Sequence, residues 1–430
     1  MLSGDNSILS QAGRAKDITG EKSIAEKVQL AYMSALANGQ GEVTEGKLKD
    51  ELDKEFGQDG YKLSEDLTKV IIDEKEYDVG GAVTGGGSGL IQQADGTFKD
   101  SSNNEWVWIE VPKTVTANVT EDNDIYDALR DYCKDVIAKT GTDYKTTTCG
   151  WTDEWYAWDT TNNKAITEAT ITDEEQKKLK NGCGLSLSEY NATKHEMLNS
   201  IKENGGFYIG KYETGNQGGT LNKKYYDDDD NVVENPESAD DYSWYEGTWN
   251  GGTAVIKQNQ FPYNWVTCSQ AQNLAKGFAT DGKTASLLFG IQWDLVLKFL
   301  SVKGEATNFL NDNSTSWGNY YNNTYNITNT EAWYSTDYGA NWTKGAYNKN
   351  TEGEILLTTG AHSSFSKQKI YDLAGNVYEW TLEKTSRSSF PCANRGGYYY
   401  NYGDNIPASS RSNYSPTNSY SYIGFRVALY

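Results

Sequence analysis

Cysteine and histidine are the residues of this sequence best suited to nucleophilic chemistry or metal binding, and both are scarce. The 430-residue chain has two histidines, His195 and His362, and five cysteines: Cys133, Cys149, Cys183, Cys268 and Cys392. No CxxC or CxxH pair occurs, so the spacing does not predict a zinc site. Histidines this far apart are expected to be surface or core residues rather than ligands. The odd cysteine count leaves at least one thiol unpaired or bonded to another chain.

Carboxylates are far more abundant. The chain has 60 Asp and Glu against 39 Lys and Arg, a net charge of -21. This balance argues against nucleic acid or an anionic membrane surface as a partner, because binding phosphate needs clustered basic side chains. The acidic segment Tyr225–Glu237 contains four consecutive aspartates, Asp227–Asp230. We expect a solvated turn there, and a cation site is the alternative.

Tyrosine, asparagine and serine dominate the segment Tyr398–Tyr422, which we call the window. They make up 17 of its 25 residues, and Lys, Glu, Gln, Trp and Met do not occur in it. Antibody paratopes have this composition, because Tyr gives rigid amphipathic contact area while Ser and Asn adapt their hydrogen bonds. The window is therefore predicted to contact another molecule. A solvated low-complexity loop is the alternative.

Apolar blocks flank the window on both sides. Before it, Tyr378 and Trp380 alternate along the chain as in a buried strand, and after it Ile423, Phe425 and Val427 alternate again. The pattern predicts that the window is held between strands of the protein core.

Three C-terminal blocks follow one another in a specific order: DLAGNVYEW (Asp372–Trp380), NRGG (Asn394–Gly397) and IGFRVAL (Ile423–Leu429). In this order they resemble the signature of the formylglycine-generating-enzyme-like branch of the C-type lectin fold. The opening strand, two helices and a further landmark of that domain are matched upstream by GGFYIGKYETG (Gly205–Gly215), WVTCSQAQNLAK (Trp265–Lys276), SLLFGIQWDLVLKFL (Ser286–Leu300) and WGN (Trp317–Asn319). The resemblance covers about half the chain and implies an α+β protein with a C-type lectin fold.

The resemblance also identifies chemistry that this sequence lacks. Enzymes of the formylglycine-generating branch oxidise a substrate cysteine with paired cysteines between the RGG and GFR landmarks, and here that segment, Gly396–Gly424, has none. Cys392 lies alone before it, which is insufficient for such a copper–thiolate site. Related iron enzymes need a histidine cluster. We therefore expect no enzymatic activity and no redox cofactor, since a fold can keep its scaffold and lose its catalytic site; a formylglycine-type oxidase is the disfavoured alternative.

The resemblance implies one metal site, a structural calcium ion. In the family, the segment that matches DLAGNVYE binds calcium through a side-chain oxygen, two backbone carbonyls and a final Glu. Here these ligands are Asp372, the carbonyls of Gly375 and Val377, and Glu379. Carboxylates and carbonyls are the hard oxygen ligands that Ca²⁺ prefers. The alternative is that Asp372 and Glu379 only cap nearby backbone groups.

A lectin-fold domain of this kind that ends in RGG, a Tyr-rich window and IGFR resembles the variable proteins of diversity-generating retroelements, with the variable region at 394–429. In those systems adenines of a template copy are randomised, and AAC or AAT codons changed in this way never encode the five residue types that the window lacks. The resemblance implies a fixed scaffold with variable exposed side chains. The predicted ligand contacts are Tyr398, Tyr400, Asn401, Tyr402, Asp404, Asn405, Ser412, Asn413, Tyr414, Asn418, Tyr420 and Tyr422.

The N-terminal part is organised differently. Apolar residues at helical spacing predict an amphipathic helix from Leu9 to about Leu36, followed by a short helix at Gly46–Gly57 and a hairpin at Thr68–Val79. This order resembles the soluble part of type IV pilin-like proteins of Gram-positive bacteria. It implies a protein attached to the membrane through an N-terminal helix that this sequence does not include. An ordinary capping helix is the alternative.

We divide the chain into four parts: a pilin-like region (1–80), a Gly-rich linker (81–103), a strand with a Cys-bearing insertion (104–204) and a ligand-binding lectin-fold domain (205–430). The predicted strand is Asn104–Pro112. Within the insertion we expect helices at Ile125–Lys139, Asp173–Lys180 and Ser188–Asn204. The Asn-, Thr- and Tyr-rich segment Asn311–Lys349 is expected to be loop-rich structure near the ligand.

These inferences together predict a non-catalytic receptor or adhesin on the outer surface of a bacterium. A protein or a glycan is the expected ligand of the window, and other pilin subunits are the further partners that the pilin resemblance implies. The alternative is a structural minor pilin in which the window packs against a neighbouring subunit.

Overall fold

The computed structural model describes residues 24–38, 43–57, 60–64, 69–72, 75–79, 90–137, 151–234, 236 and 241–430. The chain divides into two compact units, Met1–Gln93 with Phe98–Ser102 and Ala94–Thr97 with Asn103–Tyr430. Among the described helices, none combines the length and the apolar character that crossing a membrane requires.

The N-terminal unit combines two helices with short strands: α1 (Ile24–Asn38), α2 (Glu45–Phe56), β1 (Lys62–Leu63), β2 (Lys69–Ile72), β3 (Lys75–Asp78), β4 (Ile91–Gln92) and β5 (Phe98–Lys99). Strands β1–β3 form an antiparallel sheet, and β4 pairs with β5. Thr44 caps α2 by accepting a hydrogen bond from the Lys47 N–H. The core of the unit contains Val28, Leu48 and Val70.

The predicted short helix and hairpin of this unit are confirmed as α2 and as β2 paired with β3. The first predicted helix is present as α1, while its expected start at Leu9 lies outside the described residues. The expected turn at 73–74 and the Gly-rich segment 80–89 also lie outside them. Strands β4 and β5 fall within the segment predicted as a linker.

The second unit contains five helices among its described residues: α3 (Asp122–Cys133), α4 (Leu187–Asn204), α5 (Cys268–Lys276), α6 (Gly290–Val302) and α7 (Thr307–Asn311). Its first strands are β6 (Glu105–Glu110), β7 (Tyr156–Asp159), β8 (Lys164–Thr167), β9 (Gly206–Gly210), β10 (Gly215–Gln217), β11 (Thr220–Tyr226), β12 (Val232–Val233), β13 (Trp244–Asn250), β14 (Thr253–Val255) and β15 (Phe261–Pro262). This mixture of helix and sheet agrees with the predicted α+β class.

The remaining strands are short, and most belong to the region around the window. They are β16 (Ala285–Leu287), β17 (Tyr325–Ile327), β18 (Trp333–Ser335), β19 (Thr343–Lys344), β20 (Tyr347–Lys349), β21 (Leu356–Leu357), β22 (Ser366–Lys367), β23 (Ile370–Tyr371), β24 (Tyr378–Lys384), β25 (Cys392–Arg395), β26 (Arg411–Tyr414), β27 (Ile423–Phe425) and β28 (Val427–Leu429).

One sheet joins the two ends of the lectin-like region. Its strands lie in the order β16, β28, β9 and β6, all antiparallel. Ile109, Ile209 and Leu429 from three of these strands are completely buried. The predicted strand at Asn104–Pro112 and the predicted opening strand within Gly205–Gly215 are therefore confirmed as β6 and β9.

A second sheet carries the window, with strands in the order β26, β25, β24 and β27. Strand β24 pairs antiparallel with β25 and parallel with β27, so that Tyr378 lies opposite Ile423. Residues Tyr378–Glu383 are all buried, as are Ile423 and Phe425. The two predicted buried strands are confirmed, and the window begins after β25, contributes β26 to the sheet and ends just before β27.

The predicted helices differ in their outcomes. Helix α5 is confirmed and begins after a capping box between Thr267 and Gln270. The helix predicted for Ser286–Leu300 instead starts at Gly290, because Ala285–Leu287 form β16 and pair with β28. The helix predicted for Asp173–Lys180 is wrong, since only three residues there form a 3-10 turn.

Candidate ligand-binding site

The predicted contact residues of the window differ in their exposure to solvent. The exposed ones are Tyr400, Tyr402, Asp404 and Asn405. Those that are half-buried are Tyr398, Asn401, Asn413, Tyr414, Asn418, Tyr420 and Tyr422. The Tyr400 and Tyr402 side chains are 50% and 44% exposed, which is high for large rings that carry apolar surface. The window therefore presents aromatic surface to solvent.

Ser412 departs from the prediction. It is only 7% exposed and lies in β26, paired with Asn394 of β25. Its hydroxyl interacts with the buried Tyr378 phenol. Since β26 belongs to the core sheet, this serine supports the window from beneath and is not placed to touch a ligand.

Four window tyrosines form a continuous group of rings, which we call the tyrosine stack: Tyr398, Tyr414, Tyr420 and Tyr422. The rings of Tyr398 and Tyr422 are stacked with centroids 4.6 Å apart, and those of Tyr420 and Tyr422 are nearly parallel at 5.0 Å. Buried Tyr378 packs under Tyr398 at 5.0 Å. Burial raises the pKa of Tyr398 and of Tyr422 above the ordinary value, which further favours the neutral form of both phenols.

A residue outside the window joins the exposed tyrosines. The Tyr321 ring lies 5.8 Å from that of Tyr400 and 5.3 Å from that of Tyr402. The Tyr321 N–H donates to the Asn401 carbonyl at 2.8 Å. Beneath it, the buried Lys349 ammonium donates to the Tyr321 carbonyl at 3.0 Å. The aromatic surface therefore extends beyond the window into the segment Asn311–Lys349.

Other residues next to the window were not predicted from the sequence. Tyr338 is 48% exposed, and its hydrogen bond to Glu354, together with partial burial, raises its pKa to about 12. The Tyr402 hydroxyl lies 3.4 Å from a carboxylate oxygen of Glu352. The composition of Asn311–Lys349 predicted loop-rich structure near the ligand, but no pattern distinguished Tyr338 within it, and Glu352 and Glu354 lie beyond its end.

Glycines allow the chain to enter the window. Gly396 and Gly397 have φ angles of 90° and 79°, in the left-handed region that residues with a Cβ rarely adopt. A Cβ at Gly403 would lie 2.5 Å from the Thr315 backbone nitrogen. Close packing therefore requires glycine where the window crosses the segment around Thr315.

Four charged residues, three of them buried and Arg411 only slightly exposed, form an alternating ion-pair square that holds the window's first half: Asp294, Glu383, Arg395 and Arg411. Arg395 pairs with Asp294 at 2.7 Å and with Glu383 at 3.1 Å, while Arg411 pairs with the same two residues at 2.6 and 2.8 Å. The four residues come from α6, β24, β25 and β26. Because each charge has two partners of opposite sign, the square fixes the ends of the segment between Arg395 and Arg411.

The two carboxylates predicted to bind calcium, Asp372 and Glu379, both have hydrogen-bond partners within the protein. Both Glu379 oxygens accept hydrogen bonds from Arg426, at 2.7 to 3.2 Å, so this carboxylate is already neutralised. Asp372 accepts a hydrogen bond from the Gly360 N–H at 2.6 Å. Burial raises the pKa of Asp372 to about 7. Calcium binding stays a prediction.

Replacing Asp372 by Asn is expected to change the pH dependence of stability. The folded chain holds the Asp372 proton up to about pH 7, whereas the unfolded chain loses it near pH 3.9. The stabilising contribution of this group is therefore complete below about pH 3.9 and is lost as the pH rises through 7. An Asn side chain can still accept the hydrogen bond from the Gly360 N–H, but it does not titrate. Urea denaturation should show D372N more stable than the natural chain at pH 8 by about 1 kcal/mol or more, with no advantage at pH 4.

The exposed Asp404→Asn variant is the matched control and should change little at either pH. If D372N is less stable than the natural chain at pH 8, and a calcium chelator removes that difference, Asp372 acts as a metal ligand. The prediction that its buried carboxyl stays protonated up to about pH 7 is then wrong.

The other candidate chemical residues are dispersed. His195 lies 3.0 Å from Asp122 on the surface, whereas His362 contacts Ser364 and the Asn326 carbonyl. The cysteines within the described residues are buried free thiols, and Cys149 lies outside them. In the acidic segment, Asp227 accepts hydrogen bonds from the backbone of its own turn. No three Asp, Glu, His or Cys side chains of the described chain are grouped to hold a metal ion.

Several solved structures share low sequence identity with this chain. PvdO from Pseudomonas aeruginosa is 16% identical, with 52% of this chain and 80% of that chain covered and a TM-score of 0.27. Treponema denticola variable protein 1 is 18% identical, with coverage of 55% and 67% and a TM-score of 0.19. CarF is 14% identical, with coverage of 70% and 80% and a TM-score of 0.19.

No curated protein sequence matches this chain. Residues 303–430, which include the whole window and the second sheet, match the family described as the sulfatase-modifying factor enzyme 1-like domain. The C-terminal part of the chain is thus similar to that domain, the formylglycine-generating-enzyme-like form of the C-type lectin fold that the three sequence blocks predicted.

Proposed function

We propose that this protein is a non-catalytic binding protein that contacts its ligand through the window. The observation that carries the proposal is the contrast between neighbouring residues: Tyr399 is 1% exposed and packs into the core, while Tyr400 is 50% exposed. The exposed rings stand on a backbone that the core holds in place, so their side chains can differ without altering the fold. The lack of cysteine in Gly396–Gly424 supports the non-catalytic part of the proposal.

The ligand that we propose for the window is a protein surface. Exposed Tyr side chains provide large contact area with few rotatable bonds, and aromatic residues dominate the binding energy of protein interfaces. The tyrosine stack and Tyr321 extend this area into one surface. Asn401, Asn405 and Asn418 supply adaptable hydrogen-bonding groups at its edges.

We further propose that a retroelement diversifies the window. The support is the window's residue composition together with the placement of its Tyr and Asn residues, most of which reach the surface. The natural gene should lie near a reverse transcriptase gene and a partial copy of its own 3′ end that differs at adenines. A neighbourhood without either would remove this part of the proposal and leave the binding function to be judged separately.

A display library tests the binding function. The positions to randomise together are Tyr398, Tyr400, Asn401, Tyr402, Asp404, Asn405, Asn418 and Tyr420. Yeast display should retain most members at the natural level. Selection against purified hen lysozyme should yield binders with a Kd of about 1 μM or tighter.

The matched control library randomises buried window positions: Tyr399, Ile406, Ala408, Ser409, Ser410, Ser412 and Ser421. Most of its members should fail to display, because these side chains pack in the core. If the two libraries lose display to the same extent, the exposed residues are structural and the proposal fails.

We also propose that residues 1–80 attach the protein to the outside of a bacterial cell in the manner of a pilin subunit. The support is the amphipathic sequence that leads into α1 and the small sheet that follows it. Antibodies against the window should label intact cells that express the natural gene. Labelling only after the cells are broken would contradict this localisation.

A further inference from the structure

A concave surface lies beside the window. This groove has a volume of about 380 Å³ and is formed by β13, the segment after β15 and helix α5. Trp249, Tyr263 and Trp265 line it with aromatic rings, and Thr248, Gln270 and Asn273 add neutral polar groups. None of its lining residues is Asp, Glu, Lys, Arg or His, in a chain with a net charge of -21. The groove is therefore both aromatic and polar but carries no charged side chain.

Hydrogen bonds hold the aromatic residues of the groove in position. The Trp249 indole N–H donates to the Asn264 carbonyl at 2.9 Å. The Asn264 side-chain amide donates to the Ser421 carbonyl, and the backbone N–H of Trp265 donates to the Tyr420 carbonyl at 3.1 Å. These bonds reach only backbone atoms of the window. Changes in window side chains therefore leave the groove intact.

The backbone at Trp265 is strained in a way that orients its ring. Its φ angle is 56°, in the left-handed region that bulky residues rarely adopt. Gly247 lies directly against the indole, since a Cβ there would be 2.6 Å from two of its ring atoms. Strand β13 therefore has no side chain at Gly247, where the Trp265 ring packs against it. Strain and close approach of this kind are typical of residues placed for contact with a ligand.

We infer that this groove binds a neutral sugar unit of a glycan. The C–H faces of a pyranose ring carry partial positive charge and pack on the electron-rich faces of Trp and Tyr rings. Sugar hydroxyls exchange hydrogen bonds with carboxamides such as Asn273 and with the Thr248 hydroxyl. The volume lies within the range of roughly 300–1,000 Å³ that is usual for small-molecule sites. Without a cationic side chain in the groove, an acidic or sulfated sugar has no ionic partner.

The inference does not depend on the proposed function of the window. The groove's side chains belong to positions 248–274, whereas the predicted window contacts begin at Tyr398. A protein with both sites would bind a constant glycan through the groove and a variable partner through the window.

Saturation-transfer-difference NMR tests the inference on the full chain. The probes are four neutral hexasaccharides, cellohexaose, maltohexaose, mannohexaose and chitohexaose, with a heparin hexasaccharide for comparison. A single seated sugar unit corresponds to a Kd of about 1 mM, so at least one neutral probe should receive saturation and the heparin probe should not. Trp249→Ala should weaken that binding about tenfold or more.

Two further variants keep the test decisive if W249A disturbs the fold. Asn273→Ala removes one exposed amide from α5 without lowering helix propensity, and it should weaken binding about fivefold. Trp244→Ala, on the same strand as Trp249 but outside the groove, should bind like the natural chain. The inference is overturned if no neutral probe receives saturation at about 5 mM, if N273A binds as well as the natural chain, or if the heparin probe binds best. Loss of sugar binding in a Tyr400→Ser, Tyr402→Ser variant would also overturn it.

Discussion

Replacing Arg395 by Met is expected to lower the free energy of unfolding by about 3–5 kcal/mol, because it leaves two buried carboxylates with one cationic partner. Arg395 has no exposed surface, and it bonds to both Asp294 and Glu383. In its absence only Arg411 remains between two like charges. Urea denaturation at pH 7 measures the loss. The exposed Arg387→Met variant removes the same charge from a surface loop and should change stability by about 0.5 kcal/mol or less.

The effect of R395M should also depend on pH. Burial opposes ionisation of Asp294, but Arg411 and Arg395 hold its pKa below the ordinary value. The carboxylate therefore stabilises the fold above about pH 3.9, and this contribution is lost as the pH falls through the lowered pKa. The difference between R395M and the natural chain should narrow below about pH 3.9. A loss under about 1 kcal/mol at pH 7 would show that the ion-pair square does not hold the window in place.

Two adjacent tyrosines should respond in opposite ways to replacement by Ala. Tyr399 packs with Leu356 and Val377 in a buried cluster, so Tyr399→Ala should cost about 3–5 kcal/mol. Tyr400 is half exposed, and its ring lies 5.8 and 6.2 Å from the rings of Tyr321 and Tyr398, so Tyr400→Ala should cost about 1 kcal/mol or less. Thermal or urea denaturation of the two variants measures this contrast.

Chemical nitration of the folded protein provides an independent check of the same contrast. Tyr400 and Tyr402 should react, and Tyr399 should react only after denaturation. Equal stability losses for Y399A and Y400A, or fast nitration of Tyr399, would mean that the window does not separate into a buried and an exposed set.

Local patterns in the sequence predicted much of the fold. Alternating apolar residues identified β24, β27 and β28, because strands in a core keep a period of two. The start of α6 was misplaced, since Ala285–Leu287 and the helix that follows are both apolar and buried. Periodicity cannot separate a buried strand from a buried helix over so few residues. Only the pairing with β28, about 140 residues away, settles it.

The site was predicted less completely, because its contacts are not local. Composition located the window and most of its exposed residues, but the burial of Ser412 depends on its pairing with Asn394. Tyr321 reaches Tyr402 only through the folding of the loops between them. The calcium prediction came from a resemblance of one segment, which did not include the partner of Glu379. That partner, Arg426, lies 47 residues further along the chain.

The placement of β26 and β27 as the two outer strands of their sheet has a consequence for engineering. The ends of the segment between them are held about three strand spacings apart, roughly 14 Å, whatever its length. Lengthening a surface loop is inexpensive, at about 0.6 kcal/mol for each doubling. A foreign peptide epitope could be inserted at Thr417, which is exposed between β26 and β27. The two strands would hold both ends of the inserted peptide in place.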